Sequence, residues 1–352
     1  HRDLHSFPTR RSSDLVSARN GGAASDCALA GCLVDGNTAV LQGGGVYDTT
    51  LTGCVVRANL VTGNSDTTGE GGGFYASGSS YTAHGCRFIE NEAHYRGGGA
   101  YQGRFYSCVF GGNRAMEGGA FYGSSSYWLT SCTVMRNTAA NLCGGTYQGT
   151  LKNCIVYGNE SPVVPNWYNA TFSYSCADPL PPGDGNLCTN PVVSGYLNPH
   201  LLSGSPLIGA GTVESWMAAA QDIDGGPRLT GGLADIGADQ YDAGALEGGL
   251  SVRIVTSTNV CVAGWPQDFL ADTEGFAAGL EWDFGDGSGL QADLNPVSHA
   301  FLAPGEYAVR VTVTNATDSA VATQVMQVVV APVVYVSPSG GHVYPFSAWD
   351  TA

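Results

Sequence analysis

Two carboxylates and an imidazole lie close together in the chain at Glu90, Glu92 and His94, and such a group could perform acid–base chemistry. A glycosidase needs two carboxyl groups that face one groove. The acids between 16 and 170 do not recur at one position of successive repeats, so no line of acids is predicted. A polysaccharide lyase needs a strong base, and Lys152 is the only lysine. The sequence therefore predicts no catalytic residue.

Metal-binding patterns are equally sparse. Asp222 and Asp224 stand in an Asp-Ile-Asp-Gly stretch, but the distal glutamate of a calcium loop is missing. We expect these acids to pair with Arg228 in a tight turn instead. The cysteines and histidines do not have zinc-site spacing. The sequence thus predicts neither a metal nor a cofactor.

Three aromatic residues are the candidate binding residues. Tyr81 lies in the insertion YASGSSYTAHGC, and Tyr127 and Trp128 lie in YGSSSYWLTSC, at the same place in the repeat two units later. Insertions in repeat proteins often form a binding face, and aromatic rings beside small hydroxyl residues suit sugars or proteins. The alternative is that these rings cover the unit beneath them.

Repeated units must position these side chains. Cysteine recurs in steps of 22, 32, 22, 24 and 22 residues, at Cys32, Cys54, Cys86, Cys108, Cys132 and Cys154. An asparagine follows each of them five residues later, at Asn37, Asn59, Asn91, Asn113, Asn137 and Asn159. Glycine runs precede tyrosine at Tyr47, Tyr75, Tyr101, Tyr122 and Tyr147. This period with short β-type runs predicts a parallel β-solenoid in which each strand pairs with its copy in the next coil.

Stacked coils place like residues in columns. We expect the cysteines to form a buried, reduced, apolar column, in which serine at Cys108 would cost more than alanine. Asparagine tolerates left-handed backbone and suits a sharp corner, and the tyrosines should stack. The sequence leaves open whether Cys176 pairs with Cys188, and it predicts buried thiols at Cys27, Cys143 and Cys261.

Residues 16–170 resemble the right-handed parallel β-helix (pectin-lyase-like) family, and the handedness is implied by that resemblance. Residues 171–245 resemble the closing segment of bacterial β-helix surface proteins, through LLSGSPLIGAG, DIDGGPR and ADIGADQY. A solenoid end exposes strand edges, so we expect this segment to cap it. Within it, Val213–Ile223 is the best helix candidate.

Residues 250–331 resemble the PKD domain, an immunoglobulin-like β-sandwich, through EWDFGDGSG, NPVSHAF and PGEYAVRVTVTN. Trp282 and Phe284 are expected to point into its core, with a hairpin turn at Asp286 and Gly287. The predicted fold is therefore all-β: a β-helix with a C-terminal cap, then the sandwich.

Both ends of the chain differ from the rest. Residues 1–15 resemble a reading-frame translation of a sequencing adapter and are set aside as artefactual. Residues 332–352 resemble the start of a further, truncated β-helix. We therefore expect the chain to be an internal fragment of a longer modular protein.

Charge and composition limit the function. The 352 residues carry a formal net charge of −16 and 51 glycines. This charge disfavours nucleic acid and anionic membrane surfaces as partners, and no apolar run is long enough for a membrane span. We expect a non-catalytic, secreted or cell-surface protein whose β-helix contacts a polysaccharide or a surface protein, with the PKD domain as a spacer. The alternative is a polysaccharide lyase or glycoside hydrolase whose site lies on the β-helix or in parts of the protein outside this chain.

Overall fold

A computed structural model describes residues 10–17, 19–65, 68–195, 197–242 and 247–330. Its first part is a parallel β-solenoid of about seven coils, and its last part is an antiparallel β-sandwich. The predicted all-β architecture is confirmed. The predicted start of a further β-helix at 332–352 lies outside the described residues.

The coils contribute short strands to four parallel sheets, which are numbered 1 to 4 here. The chain runs through them in that order and returns to sheet 1 to begin the next coil. Sheet 1 comprises Arg10–Ser13, Cys32–Asp35, Val55–Arg57, Arg87–Ile89, Val109–Gly111, Thr133–Met135, Ile155–Tyr157 and Cys176–Ala177. Sheet 2 comprises Val16–Ser17, Thr38–Ala39, Leu60–Val61, Glu92–Ala93, Arg114–Glu117 and Thr138–Leu142. Sheet 3 comprises Ala24–Ser25, Val46–Tyr47, Phe74–Tyr75, Ala100–Tyr101, Phe121–Tyr122, Thr146–Tyr147 and Trp167–Tyr168. Sheet 4 comprises Ala28–Ala30, Thr50–Thr52, Thr82–His84, Arg104–Tyr106, Trp128–Thr130, Thr150–Lys152 and Thr171–Ser173.

The cysteine column is buried as predicted, but it is not apolar. Each thiol of the column is free, and Cys108 is fully buried. Its Sγ accepts from the backbone N–H of Cys86 at 3.4 Å, and its one S–H lies within reach of the carbonyl oxygens of Ala83 and Tyr106, at 3.4 and 3.2 Å. The thiols therefore satisfy backbone groups at the turn into sheet 1.

The cysteines outside the column differ in how deeply they are buried. Cys143 is buried as expected, whereas Cys27 is exposed and Cys261 is half-buried. Cys176 and Cys188 are both free, the first buried and the second exposed. The prediction of a buried Cys27 is wrong because its segment lies in the first coils, where its neighbours are also exposed.

The asparagine column is a buried ladder of side-chain amides. From Asn37 to Asn137, each asparagine donates from its backbone N–H and its side chain to the Oδ1 of the asparagine in the next coil, as between Asn91 and Asn113. Asn159 ends the ladder by donating in the same way to Asn166. The left-handed conformation predicted for asparagine belongs to the residue before it, as at Glu90 with φ 56° and Gly112 with φ 65°. The asparagine side chain points inward, and its predecessor makes the corner.

Tyrosines and glycines pack as the repeat predicts. Adjacent tyrosine rings in sheet 3 stack with centroids 5.1 Å apart between Tyr75 and Tyr101 and 4.4 Å apart between Tyr122 and Tyr147. The preceding glycines allow the coils to approach closely. A Cβ atom on Gly98 would lie 2.2 Å from the carbonyl oxygen of Arg114, so no larger residue fits there without movement.

The first strand comes from the segment that the sequence analysis set aside. Arg10–Ser13 pairs in parallel with Cys32–Asp35, and the side chain of Asn37 bonds the backbone of Ser12 and Leu15. These bonds use backbone groups of the segment, which any extended chain offers. An exposed strand edge of the solenoid can therefore pair with it whatever its side chains are.

Residues 178–242, here called the closing segment, cover the solenoid in two places. At its end, Leu187 pairs with the backbone of Ser175 and Ala177, as a cap is expected to do. The segment also lies along the outer face of sheet 1, where Ile223 and Ala238 pack on Val109. That face is apolar and would otherwise be exposed. The predicted helix is shortened to a 3-10 helix at Ser215–Ala219.

The sandwich consists of two antiparallel sheets with one parallel edge strand. One sheet comprises Ser251–Val255, Gln267–Glu274 and Val297–His299, and the other comprises Val260–Val262, Gly279–Asp283, Leu290–Ala292, Gly305–Thr314 and Ser319–Val329. Trp282 and Phe284 are fully buried, as expected. The closing segment contributes Val192 and Leu202 to the same core, so it packs directly on the sandwich.

Candidate binding cleft

The three predicted binding residues do not form one exposed face. The strands that follow Tyr81 and Tyr127 are two coils apart and in register, as predicted. However, Tyr127 is only 9% exposed and belongs to the solenoid core, and Tyr81 packs against that core. These two rings cover the coil beneath, because their turns fold inward over sheet 4.

Trp128 stays half-buried at the surface and points towards its neighbours in sheet 4. The guanidinium of Arg104 lies 3.8 Å from the centre of the Trp128 ring and covers it. The indole Nε1–H donates to the hydroxyl of Tyr106 at 2.9 Å. Trp128 is therefore joined to a second group of aromatic residues that the sequence analysis did not single out.

That group lines a cleft of about 390 Å³ between the solenoid and the closing segment. On the solenoid wall, the His84 and Tyr106 rings stack in parallel with their centres 4.6 Å apart. On the opposite wall, Trp216 meets Tyr106 edge to face at 5.4 Å. Partial burial lowers the pKa of His84, so this ring is neutral at pH 7. The three rings thus form one continuous aromatic part of the cleft lining.

Hydrogen bonds through Glu214 and Lys152 hold Trp216 in place. Its indole Nε1–H donates to one oxygen of Glu214 at 2.9 Å, and the other oxygen of Glu214 accepts from Lys152 at 2.8 Å. The only lysine of the chain is therefore engaged in anchoring the 3-10 helix to the solenoid. A role for Lys152 as the base of a lyase would require this ion pair to open.

An arginine–aspartate pair forms the polar part of the cleft. Arg87 donates to Oδ1 of Asp224 at 2.8 Å, and the Arg87 side chain is 28% exposed. His200 contacts the other oxygen of Asp224 at 2.5 Å. Burial alone would raise the pKa of Asp224, but the charges of His200 and Arg87 outweigh it and hold the pKa below its usual range. Asp224 is therefore ionised at neutral pH.

The expected pairing of Asp222 and Asp224 with Arg228 is wrong. Both oxygens of Asp222 accept backbone N–H groups, from Asp224, Gly226 and Gln240. Fully buried Arg228 donates instead to the carbonyl oxygens of Asp235, Gly237 and Asp239 and to the Gln240 side chain. A planar guanidinium can serve four acceptors at once, and these acceptors define the fold of the closing segment.

The acidic group singled out from the sequence lies elsewhere. Glu90, Glu92 and His94 are all exposed. Glu92 and His94 line a shallow depression on sheet 2 with Arg114, whereas Glu90 lies at the preceding corner. The structure places Glu90 outside the residues that line this depression.

Part of the cleft has a signal in the sequence. His84 and Tyr106 occupy the same register position in adjacent strands of sheet 4, so the repeat alignment brings them side by side. Trp216 and Asp224 have no such signal, because they reach the cleft through the docking of a non-repetitive segment.

The comparisons with known proteins concern mainly the sandwich. A family model described as PKD domain matches residues 264–330. No curated protein matches the chain. Among the described residues, none of the helices has the length and apolar character needed to cross a membrane. The C-terminal sandwich thus agrees with the PKD domain family in both sequence and architecture.

Proposed function

We propose that this chain is a non-catalytic part of a modular secreted or cell-surface protein, and that its solenoid binds a saccharide in the cleft between sheet 4 and the closing segment. The observation that carries the proposal is that aromatic rings and a charged arginine–aspartate pair line the same cleft. Tyr106 and Trp216 offer apolar surface to a sugar ring, while Arg87, whose side chain is 28% exposed, offers hydrogen-bond donors to its hydroxyl groups.

The surrounding architecture supports a binding role. The cleft is anchored on both sides, by Lys152 and Glu214 on one wall and by the stack of His84 and Tyr106 on the other. Groups that are held in place before binding lose little conformational entropy when a ligand arrives. The sandwich, which packs on the closing segment, would act as a spacer in the modular protein.

The test is a glycan array followed by calorimetry on the full chain. We expect Trp216→Ala to weaken binding of an array-positive glycan by about five- to thirtyfold, since loss of an aromatic contact is worth on the order of 1–2 kcal/mol. The matched control is Trp265→Ala, because Trp265 is 68% exposed and belongs to the sandwich. Equal binding by Trp216→Ala and wild type would remove the cleft as the site.

One observation favours an enzyme as the second candidate. Asp222 and Asp224 line the same cleft, and their pKa values move in opposite directions, since burial raises that of Asp222. Opposed shifts are typical of acid–base pairs. Against this, the oxygens of both carboxylates already accept hydrogen bonds. Release of reducing ends or unsaturated products from an array-positive glycan, lost in Asp224→Asn, would establish the enzyme.

A further inference from the structure

We propose that His200, Asp224 and Asp239 bind a divalent transition-metal ion, with Zn²⁺ as the best match. One side-chain ligand atom from each residue lies within 4.8 Å of the other two. The three come from separate parts of the closing segment that the fold brings together. This site lies behind the cleft wall, and the sequence analysis predicted no metal there.

The first support is a buried polar atom that lacks a partner. His200 is 6% exposed; its Nε2 atom contacts Asp224, and its Nδ1 atom is buried and has no hydrogen-bond partner among the described residues. Asp239 is equally buried, and among the described residues its Oδ2 accepts one backbone N–H, from Leu201 at 2.9 Å. Unsatisfied buried polar atoms are rare in folded proteins, and a bound ion or water is a common reason for them.

The second support is the balance of buried charge. The carboxylates of Asp222, Asp235 and Asp239 are buried, and Asp224 is half-buried beside them. The guanidinium groups near them are those of Arg87 and Arg228. The His200 imidazole also contacts Asp224 and is neutral when it binds a metal, so four ionised acids then face two guanidinium cations and leave an excess of two negative charges. A dication would neutralise the excess.

The donor set selects the type of metal. Ca²⁺ and Mg²⁺ prefer cages of oxygen ligands, whereas one imidazole and two carboxylates suit Zn²⁺ or Mn²⁺. Three protein ligands leave a coordination position for water. Arg87 binds Oδ1 of Asp224 and leaves Oδ2 on the side of His200, so the carboxylate is already oriented towards the site.

An ion at this position would link the cleft to the rest of the molecule. Asp224 forms part of the cleft wall, and the ring of His200 packs against Phe276 of the sandwich at 4.7 Å. Metal binding would therefore fix the Asp224 turn and stabilise the closing segment against both neighbours.

The experiment uses the full chain after removal of metals with a chelator, in the absence of any saccharide. Exposed thiols also bind zinc, so the background carries Cys27→Ser and Cys188→Ser. We expect Zn²⁺ to bind one to one by calorimetry and to raise the Tm. Co²⁺ should give visible bands without the near-ultraviolet thiolate absorption. Asp239→Asn, which keeps the shape of the side chain, should weaken Zn²⁺ binding at least tenfold.

The matched control is His299→Gln. His299 contacts Asp286 at 2.7 Å in the sandwich, so it forms a similar pair that lacks the additional carboxylate of the proposed site. Zn²⁺ binding should be unchanged in this variant. Failure of wild type to bind Zn²⁺ or Mn²⁺, or equal binding by Asp239→Asn, would overturn the proposal. Neither result depends on whether the cleft binds a saccharide.

Discussion

The backbone N–H and the side-chain amide of Asn91 both donate to Oδ1 of Asn113 in the next coil, each at 3.0 Å. The same side chain donates its other hydrogen to the carbonyl oxygen of Val56 at 2.9 Å, in the preceding coil. One asparagine thus connects three successive coils in the interior. A residue at this position needs two donors and one acceptor on a short side chain, which asparagine provides.

Asn91→Asp should be strongly destabilising. A carboxylate keeps the acceptor but loses both donors, and it would be buried beside the carbonyl of Val56. We expect a loss of unfolding free energy of about 2–4 kcal/mol at pH 7. Asn64→Asp is the control, since Asn64 is exposed in a loop. Chemical denaturation measures both, and similar midpoints for the two variants would contradict the ladder.

Cys108→Ser should be less destabilising than Cys108→Ala, which reverses the expectation for an apolar column. Ser175 takes the next column position after Cys154, where its Oγ accepts from the backbone of Cys154 at 3.0 Å and donates to Ser173 at 2.9 Å. A hydroxyl therefore finds the same partners as a thiol. Alanine leaves them unsatisfied, at a cost of about 1–3 kcal/mol. Greater stability of the alanine variant in urea denaturation would refute this.

The column thiols should not react in the folded protein. Cys86, Cys108 and Cys132 are fully buried, so a reagent cannot reach them in the folded protein, and burial also raises the pKa of Cys86 and Cys132. Cys27 and Cys188 are exposed and should be labelled by a maleimide within minutes. Peptide mapping by mass spectrometry gives the result. Labelling of Cys86 or Cys132 before unfolding would show that the column is open to solvent.

Gly98→Ala should disrupt the stacking of sheets 2 and 3. The added Cβ would lie 2.2 Å from the carbonyl oxygen of Arg114 and 2.5 Å from that of Gly119, both backbone atoms in the next coil. We expect a loss of more than about 2 kcal/mol, as for overpacking in a core. Gly78→Ala is the control, because its Cβ would have no atom within 4 Å. Thermal unfolding should separate the two variants, and equal Tm values would argue against this close packing.

Arg228→Lys should loosen the closing segment. A lysine ammonium cannot reach all four acceptors that the guanidinium of Arg228 holds. We expect faster hydrogen exchange across residues 220–241, with exchange in the solenoid core unchanged. Arg253→Lys is the matched control, since the Arg253 side chain is 73% exposed in its pair with Asp272. Unchanged exchange in Arg228→Lys would show that the buried guanidinium does not organise this segment.

The sequence by itself determined the features that repeat. Cysteine, asparagine and tyrosine recur at fixed spacing, and a solenoid converts spacing directly into columns, so the parallel coils and the stacked rings could be predicted. The sandwich could be predicted for a similar reason. Residues that alternate along a strand share one face, so Val309, Val311 and Val313 had to lie on the same side and are all buried. The left-handed conformation at each corner was predicted for the asparagine but belongs to the residue before it, such as Glu90. Spacing alone does not show which of two adjacent residues points inward and which one makes the corner.

Only the tertiary structure decided where the candidate sites lie. Trp216 meets Tyr106, and Asp224 meets Arg87 and His200, through a non-repetitive segment that folds back along sheet 1. Side chains on that segment have no register with the coils, so their partners depend on how two apolar surfaces pack. The same packing explains why Tyr127 is buried: local sequence placed its ring on an insertion, but the path of the turn carried it into the core.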